Sequence, residues 1–309
     1  MSSMFALGYH ENIETKTETP PFLMKVRKTA FARIYSADKN IAIFLGRPPR
    51  MSKRFCHFQI PSSSPDSQGN TEWDTDAMPS YTEETRWSAL CASLKEEILE
   101  LARDKPHTCV QKIRYILMQI VERKLANNRS AIQDRAEAQW RALPPHFQLE
   151  GSIRQHTRQS PFDQDFLVSV RLNQLHVLLL LRLLLLNTLA DPDTSVVTVA
   201  GEMLALVVEV ILNRDQLTNS GTGLVWKVSY LTFLASGMLS NQIAHYGLPA
   251  AGIVLLAMLK QQSTPLPLGK SRTRILQDLS IFVAEIQIGA IVREADPIYG
   301  LITKATQTI

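Results

Sequence analysis

Beginning at Pro20-Pro21, apolar positions Phe22, Val26, Ala30, Ile34 and Ala37 recur at helical spacing. Proline is tolerated in a first helical turn, so the pair predicts a helix start. A second run, Ile41, Phe44 and Leu45, leads to Gly46, which can adopt the left-handed conformation that closes a helix. Pro48-Pro49 cannot continue it, and the residues onward through Phe58 and Ile60 read as extended, ending at Pro61. Residues 61–80 hold three prolines, five serines and little apolar content, which predicts a flexible surface loop. Ser80-x-x-Glu83 has the form of a capping box and opens a helix with Trp87, Leu90, Leu94, Ile98 and Leu101 on one face.

The pattern stays helical to the end. Val110, Ile113, Leu117, Ile120, Val121 and Leu125 predict a helix closed at Asn127-Asn128. Ser130-x-x-Gln133 then opens another, which carries Ile132, Ala136, Trp140 and Leu143 up to Pro144-Pro145. Residues 163–190 form the most apolar helix, with LHVLLLLRLLLL at 175–186, and Pro192 breaks it. Thr194 or Ser195 caps the next helix, over 196–212. NSGTG at 219–223 makes a turn, and a helix follows around Trp226 to Ile243. Tyr246-Gly247-Leu248-Pro249 leads into a further helix, a Pro-rich loop occupies 264–269, and a last helix runs from about Thr273 to Arg293. With no strand alternation, the expected fold is all-α: an irregular multi-helix bundle of about ten helices. Residues 1–19 are expected as a frayed or truncated N-terminal segment, 20–293 as one helical domain, and 294–309 as a tail.

Arg182 sits at the centre of the leucine-rich run, and a central arginine costs about 3 kcal/mol on insertion scales. A core helix is therefore expected in place of a membrane span. A buried Arg182 needs a partner, for which Glu202 and Glu209 on the next helix are candidates.

Composition adds little to this picture and charge adds more. Hydrophobic residues make up 45% and charged residues 20%, ordinary for a globular protein. Cys56, Cys91 and Cys109 lack Cys-x-x-Cys spacing, so neither a disulfide framework nor a zinc site is indicated, and a reducing compartment fits. No apolar run opens the chain, so no secretory signal is expected. Net charge is +4, but Lys25, Arg27, Lys28, Arg33, Lys39, Arg47, Arg50, Lys53 and Arg54 cluster with Asp38 as the sole acid among them. That stretch reads as a solvated face paired with acidic helices elsewhere, with phosphate attraction as the other reading.

Candidate chemistry is sparse. Gly-x-Ser-x-Gly, Gly-x4-Gly-Lys-Ser/Thr and Gly-x-Gly-x-x-Gly are absent, and the seven histidines lack metal-ligand spacing. Glu96-Glu97 is placed on the solvated face of its helix, a poor setting for general acid–base work. No catalytic residue, cofactor or metal is expected, and the chain is read as a non-enzyme. What remains is a structural latch. Asp38 is expected to accept N–H groups at the start of the second helical run. Arg47 is expected to reach helix-terminal carbonyls or Asp38 itself. On this reading Arg47→Ala lowers the melting temperature and Lys53→Ala does not.

The stretch IYSADKNIAIFLGRPPRMSKRFC resembles the middle homology region of fungal binuclear zinc-cluster transcription factors, the fungal-specific transcription factor domain. The residues that carry the resemblance are Tyr35, Asp38 and Lys39, then Gly46, Arg47, Pro48, Pro49 and Arg50. In the same order along the chain, WRALPP at Trp140–Pro145, the leucine-rich helix with Arg182, and YGLPAAG from Tyr246 are similar to further parts of that region. The resemblance covers roughly residues 5–290. It implies an all-helical regulatory domain of a nuclear transcription regulator, with a cytoplasmic location as the alternative. Its implied partners are the transcriptional machinery or regulatory proteins, with no membrane. The family's DNA-binding module is a six-cysteine cluster holding two zinc ions, which the three cysteines of this chain cannot supply. DNA contact is therefore expected only if such a module is supplied. The alternative expectation is an interaction or adaptor domain without a transcriptional role of its own, or a truncated gene product.

Overall fold

Helix α1 spans Ser2–Ala6, α2 Pro21–Leu45, α3 Tyr81–Arg103 and α4 Arg114–Ala142; α5 spans Pro161–Leu183, α6 Thr194–Leu212, α7 Leu248–Lys260 and α8 Arg272–Gln287. The computed structural model describes residues 2–12, 19–61, 73–103, 114–156, 159–184, 192–213, 246–260 and 272–288, with single positions at 186, 217, 300, 304 and 307. Among these residues there are eight α-helices, two short 3-10 turns at Pro145–Phe147 and Ile153–His156, and no strand, so the fold is all-α. The helix expected around Trp226 to Ile243, the turn at 219–223, the loop at 264–269, most of the tail after Pro297, Cys109 and most of the loop at 61–80 lie outside the described residues.

The chain divides into two compact units, Met1–Phe147 and Gln148–Ile309, inside the span expected as one domain. In the first unit α2 is continuous through Ser36 to Asn40, so no second helix begins after Asp38. Single polar residues cost a helix only a few tenths of a kcal/mol each, too little to interrupt it. For the same reason Asn127-Asn128 does not end a helix: α4 runs through both of them and through Ser130.

Helix α3 buries the predicted stripe of Trp87, Leu90, Leu94 and Ile98. It also buries Glu83, Glu84, Arg86, Lys95 and Glu96, so it is enclosed on more than one face. Against it α2 buries Phe31, Tyr35, Asp38, Lys39 and Ala42. Residues 2–12, expected as a frayed start, dock on this pair. Met4 is buried beside Phe31, Tyr35, Met51 and Cys56, the His57 N–H donates to the His10 carbonyl at 2.8 Å, and Gln59 Nε2 donates to the Glu11 carbonyl at 2.7 Å.

In the second unit α6 packs against α5, α7 and α8. Ser160 caps α5 with a full capping box to Asp163, and Pro161 occupies its first turn. The cap of α6 is Asp193, which accepts from the Val196 N–H at 2.9 Å; Thr194 and Ser195 fall inside the helix. A carboxylate makes the stronger cap because charge and helix dipole add to the hydrogen bond. Gly247 carries no positive φ. It is required by space, since a Cβ there would lie 2.5 Å from the Phe282 ring. Among the described residues, helices α5 and α6 are the two long and apolar enough, by length and composition, to cross a membrane; 61% and 56% of those windows are buried within the fold.

Candidate functional site

A Schellman turn ends α2. Gly46 adopts φ +61°, and the Gly46 and Arg47 N–H groups return to the Ile43 and Ala42 carbonyls at 3.2 and 3.0 Å. A Cβ at Gly46 would meet nothing within 4 Å, so conformation, not space, selects glycine here. Pro48-Pro49 then directs the chain back along α2, where Asp38 receives it. Asp38 Oδ1 accepts the Arg50 N–H at 3.0 Å and Oδ2 accepts the Met51 N–H at 2.9 Å.

Asp38 is one part of a buried charge cluster. Lys39 Nζ lies 3.1 Å from Asp38 Oδ2 and 3.2 Å from Glu96 Oε2, and donates also to the Met51 carbonyl. An ammonium has three protons, and each of these acceptors takes one. The same Nζ lies 4.0 Å from the centroid of the Tyr35 ring. Glu96 is saturated in turn. Its Oε2 accepts the Tyr35 hydroxyl at 2.5 Å, and its Oε1 accepts the Ser52 hydroxyl and the Lys53 N–H, both at 2.9 Å. Two carboxylates against one ammonium leave an excess negative charge, which three backbone N–H groups and two hydroxyls offset.

The electrostatics follow the geometry. Burial pushes the Glu96 carboxyl upward, but the Tyr35 hydrogen bond, Lys39, the Lys53 N–H and Ser52 together hold it below its ordinary range. Burial, and then the hydrogen bond to Glu96, drive the Tyr35 phenol far up, so it stays a neutral donor. Glu97 is likewise held low against the upward push of burial by Arg135 and Lys53, with Lys53 Nζ at 2.8 Å. Next to this layer, Lys95 is 1% exposed and donates to Asn40 Oδ1 at 2.9 Å; burial lowers its ammonium to about 8. The buried Cys91 thiol is pushed up to about 12 and the Cys56 thiol is raised, both first by burial, which leaves each a poor nucleophile.

No family model, no curated protein and no solved structure matches the chain. The site is therefore read from its own geometry.

The structure brings Asp38, Gly46, Pro48, Pro49 and Arg50 into one latch, but with different chemistry from that expected. Arg47 does not reach Asp38. Its contribution is the N–H that completes the Schellman turn, while the Asp38 oxygens are taken by Arg50, Met51 and Lys39. Arg50 also acts through its N–H, and its side chain is exposed. The Lys53 side chain, by contrast, is engaged, donating to Ser93 Oγ and Glu97 Oε1, both at 2.8 Å. Glu96 is no solvated acid; it is 2% exposed at the centre of the cluster.

Arg182 lies in the second unit and is only half-buried, so it needs no ion-pair partner in the core. Glu202 pairs with Arg171, and Glu209 Oε2 accepts the Ile153 N–H at 3.1 Å. Arg182 does lie close enough to Asp193 to add slightly to the lowering of that carboxyl, which comes first from the Val196 N–H. Sequence reasoning missed Tyr35, Lys39, Ser52 and Glu96 as members of the cluster. A signal for two of them was present: Phe31, Tyr35, Asp38, Lys39 and Ala42 share one helical stripe, so two charges interrupt an otherwise buried face.

A cleft of about 140 Å³ in the second unit is lined by Ala205, Val208 and Leu212 together with Arg154, Glu209, Arg274 and Asp278. Glu209 is engaged by the Ile153 N–H, and Arg274 faces Asp278 at 3.5 Å, so much of that charge is spent within the cleft wall.

Proposed function

We propose that this chain is a regulatory helical domain of a transcription regulator similar to the fungal zinc-cluster family, acting in the nucleus through contacts with regulatory proteins and not through catalysis. One observation carries this reading. The residues of the resemblance are not spread over the surface; Asp38, Gly46 and the Pro48-Pro49 return form a single saturated latch on α3. Every carboxylate oxygen of Asp38 and Glu96 has a donor, so the cluster fixes a shape and leaves no group poised to exchange a proton. The fixed segment ends at Phe55, 81% exposed, beside Arg54, and on this reading that end is where a protein partner is met.

That exposed ring also favours the second reading, an interaction domain with no transcriptional role. Fusion of the full chain to a heterologous DNA-binding domain, with a reporter gene as readout, separates the two. A several-fold change in reporter output, lost in Lys39→Met, is the expected result. A fusion that accumulates as folded protein and leaves the reporter unchanged removes the regulator reading in favour of the adaptor.

A further inference from the structure

The start of α3 contains a buried acid that the latch does not use. Glu83 is 1% exposed, and its Oε1 has no hydrogen-bond partner among the described residues. A buried carboxylate oxygen without a donor disfavours the ionised form by desolvation. Three charged groups face it. Arg86 lies one turn along the same helix, Lys25 faces it from α2, and Asp74 faces it from the segment that leads into α3. Burial outweighs both cations, Asp74 adds to it, and the carboxyl is raised above its ordinary range.

The segment Trp73–Ser80 is a strap over this helix start. The Trp73 ring lies 6.3 Å from Trp87 and 6.0 Å, edge-on, from Phe147, with the Arg86 guanidinium 4.6 Å over its face. His146 Nε2 donates to the Ala77 carbonyl at 2.7 Å, and Ser80 Oγ accepts the Glu83 N–H at 3.3 Å. Asp74 therefore enters the neighbourhood of Glu83 only when the strap is closed. Ionised Glu83 repels it and draws Arg86 from the Trp73 face, whereas neutral Glu83 does neither.

We propose that Glu83 is a buried proton-binding site that sets how tightly the Trp73–Ser80 strap closes on α3. The closed form binds the proton more tightly than an open or unfolded one. The stabilisation from this group is therefore complete below the ordinary carboxylate value of 4.5 and is lost as pH rises through the raised value of the closed form.

The test compares Glu83→Gln with wild type in the full chain, both carrying Trp226→Phe, so that emission comes from Trp73, Trp87 and Trp140. At pH 8 the Gln variant is expected to melt about 2–4 °C above wild type, and the difference is expected to vanish toward pH 4. Acrylamide quenching of wild type is expected to increase as pH rises, and Asp74→Asn is expected to move that midpoint downward, because removing the repelling charge that raises Glu83 leaves it easier to ionise. The structure assigns that role to Asp74, so the downward shift supports the proposal and an upward or absent shift overturns it. A Gln variant less stable than wild type at pH 8, or a difference constant across pH, also overturns it.

Discussion

The two units solve the same packing problem with different materials. In the second, α6 buries Val196, Val197, Ala200, Met203, Leu204, Val207, Val208 and Ile211 against similarly aliphatic faces of α5, α7 and α8. In the first, α2 and α3 meet across Phe31, Tyr35 and Ala92 but also across Asp38, Lys39, Lys95 and Glu96. Aliphatic faces attract in any register that excludes water. A Lys39 ammonium with one acceptor for each proton is satisfied in one register only. The first unit thus trades desolvation cost for a defined position of the Arg47–Arg54 return, and the second relies mainly on aliphatic area, with Asn173, His176 and Asp278 buried within it.

The largest expected effect comes from removing the shared cation. Lys39→Met leaves Asp38 and Glu96 buried near each other without it, which costs about 3–5 kcal/mol by the scale for broken buried ion pairs. Urea unfolding followed by tryptophan emission in the Trp226→Phe background reads it from the first unit. A loss under about 1 kcal/mol, within the range of exposed pairs, would mean that the cluster is hydrated and that the two units differ less than described.

Next in size is Leu172→Ala in α5, fully buried, at about 2–5 kcal/mol. The informative part is its pH dependence. No titratable group changes, so its cost should be equal at pH 7 and pH 4. The first unit behaves otherwise. Glu96 and Glu97 are held below their ordinary 4.5, so their stabilisation is complete above that value and is lost as pH falls through the depressed values. Acid should loosen the tryptophan environment of the first unit, and Glu96→Gln should flatten that response. Acid sensitivity unchanged in Glu96→Gln would move its origin elsewhere.

Much of the helical framework was legible because it rests on local chemistry. The Gly46 stop, the Pro21 start and the Trp87–Ile98 stripe need only neighbours a few residues away. What was not legible depends on partners far along the chain. Glu96 looks solvated in its own helix, since nothing near it in sequence shows that Tyr35, Lys39 and Ser52 converge on it. The Asn127-Asn128 pair misled for the opposite reason: its local penalty is real but too small to outweigh a continuing helix. In the latch, the residue types that caught attention, Arg47 and Arg50, act through backbone N–H groups that almost any residue could provide.

That last point gives the smallest and most discriminating expectation. If the arginines mattered through their guanidinium groups, Arg47→Ala would cost more than Lys53→Ala. The structure reverses the order. Arg47→Ala keeps the N–H to the Ala42 carbonyl and should change stability by about 0–0.5 kcal/mol. Lys53→Ala removes hydrogen bonds to Ser93 and Glu97 from a side chain that is 30% exposed, against a partner 20% exposed. Solvent screening limits that loss to about 0.5–1 kcal/mol. The Lys53 effect should also shrink in 1 M salt, where screening reaches about 3 Å, while any Arg47 effect should not. Paired urea titrations of the two variants at low and high salt read both quantities. Equal losses, or a larger one at Arg47, would show that the Arg47 side chain holds the return in a way its backbone does not.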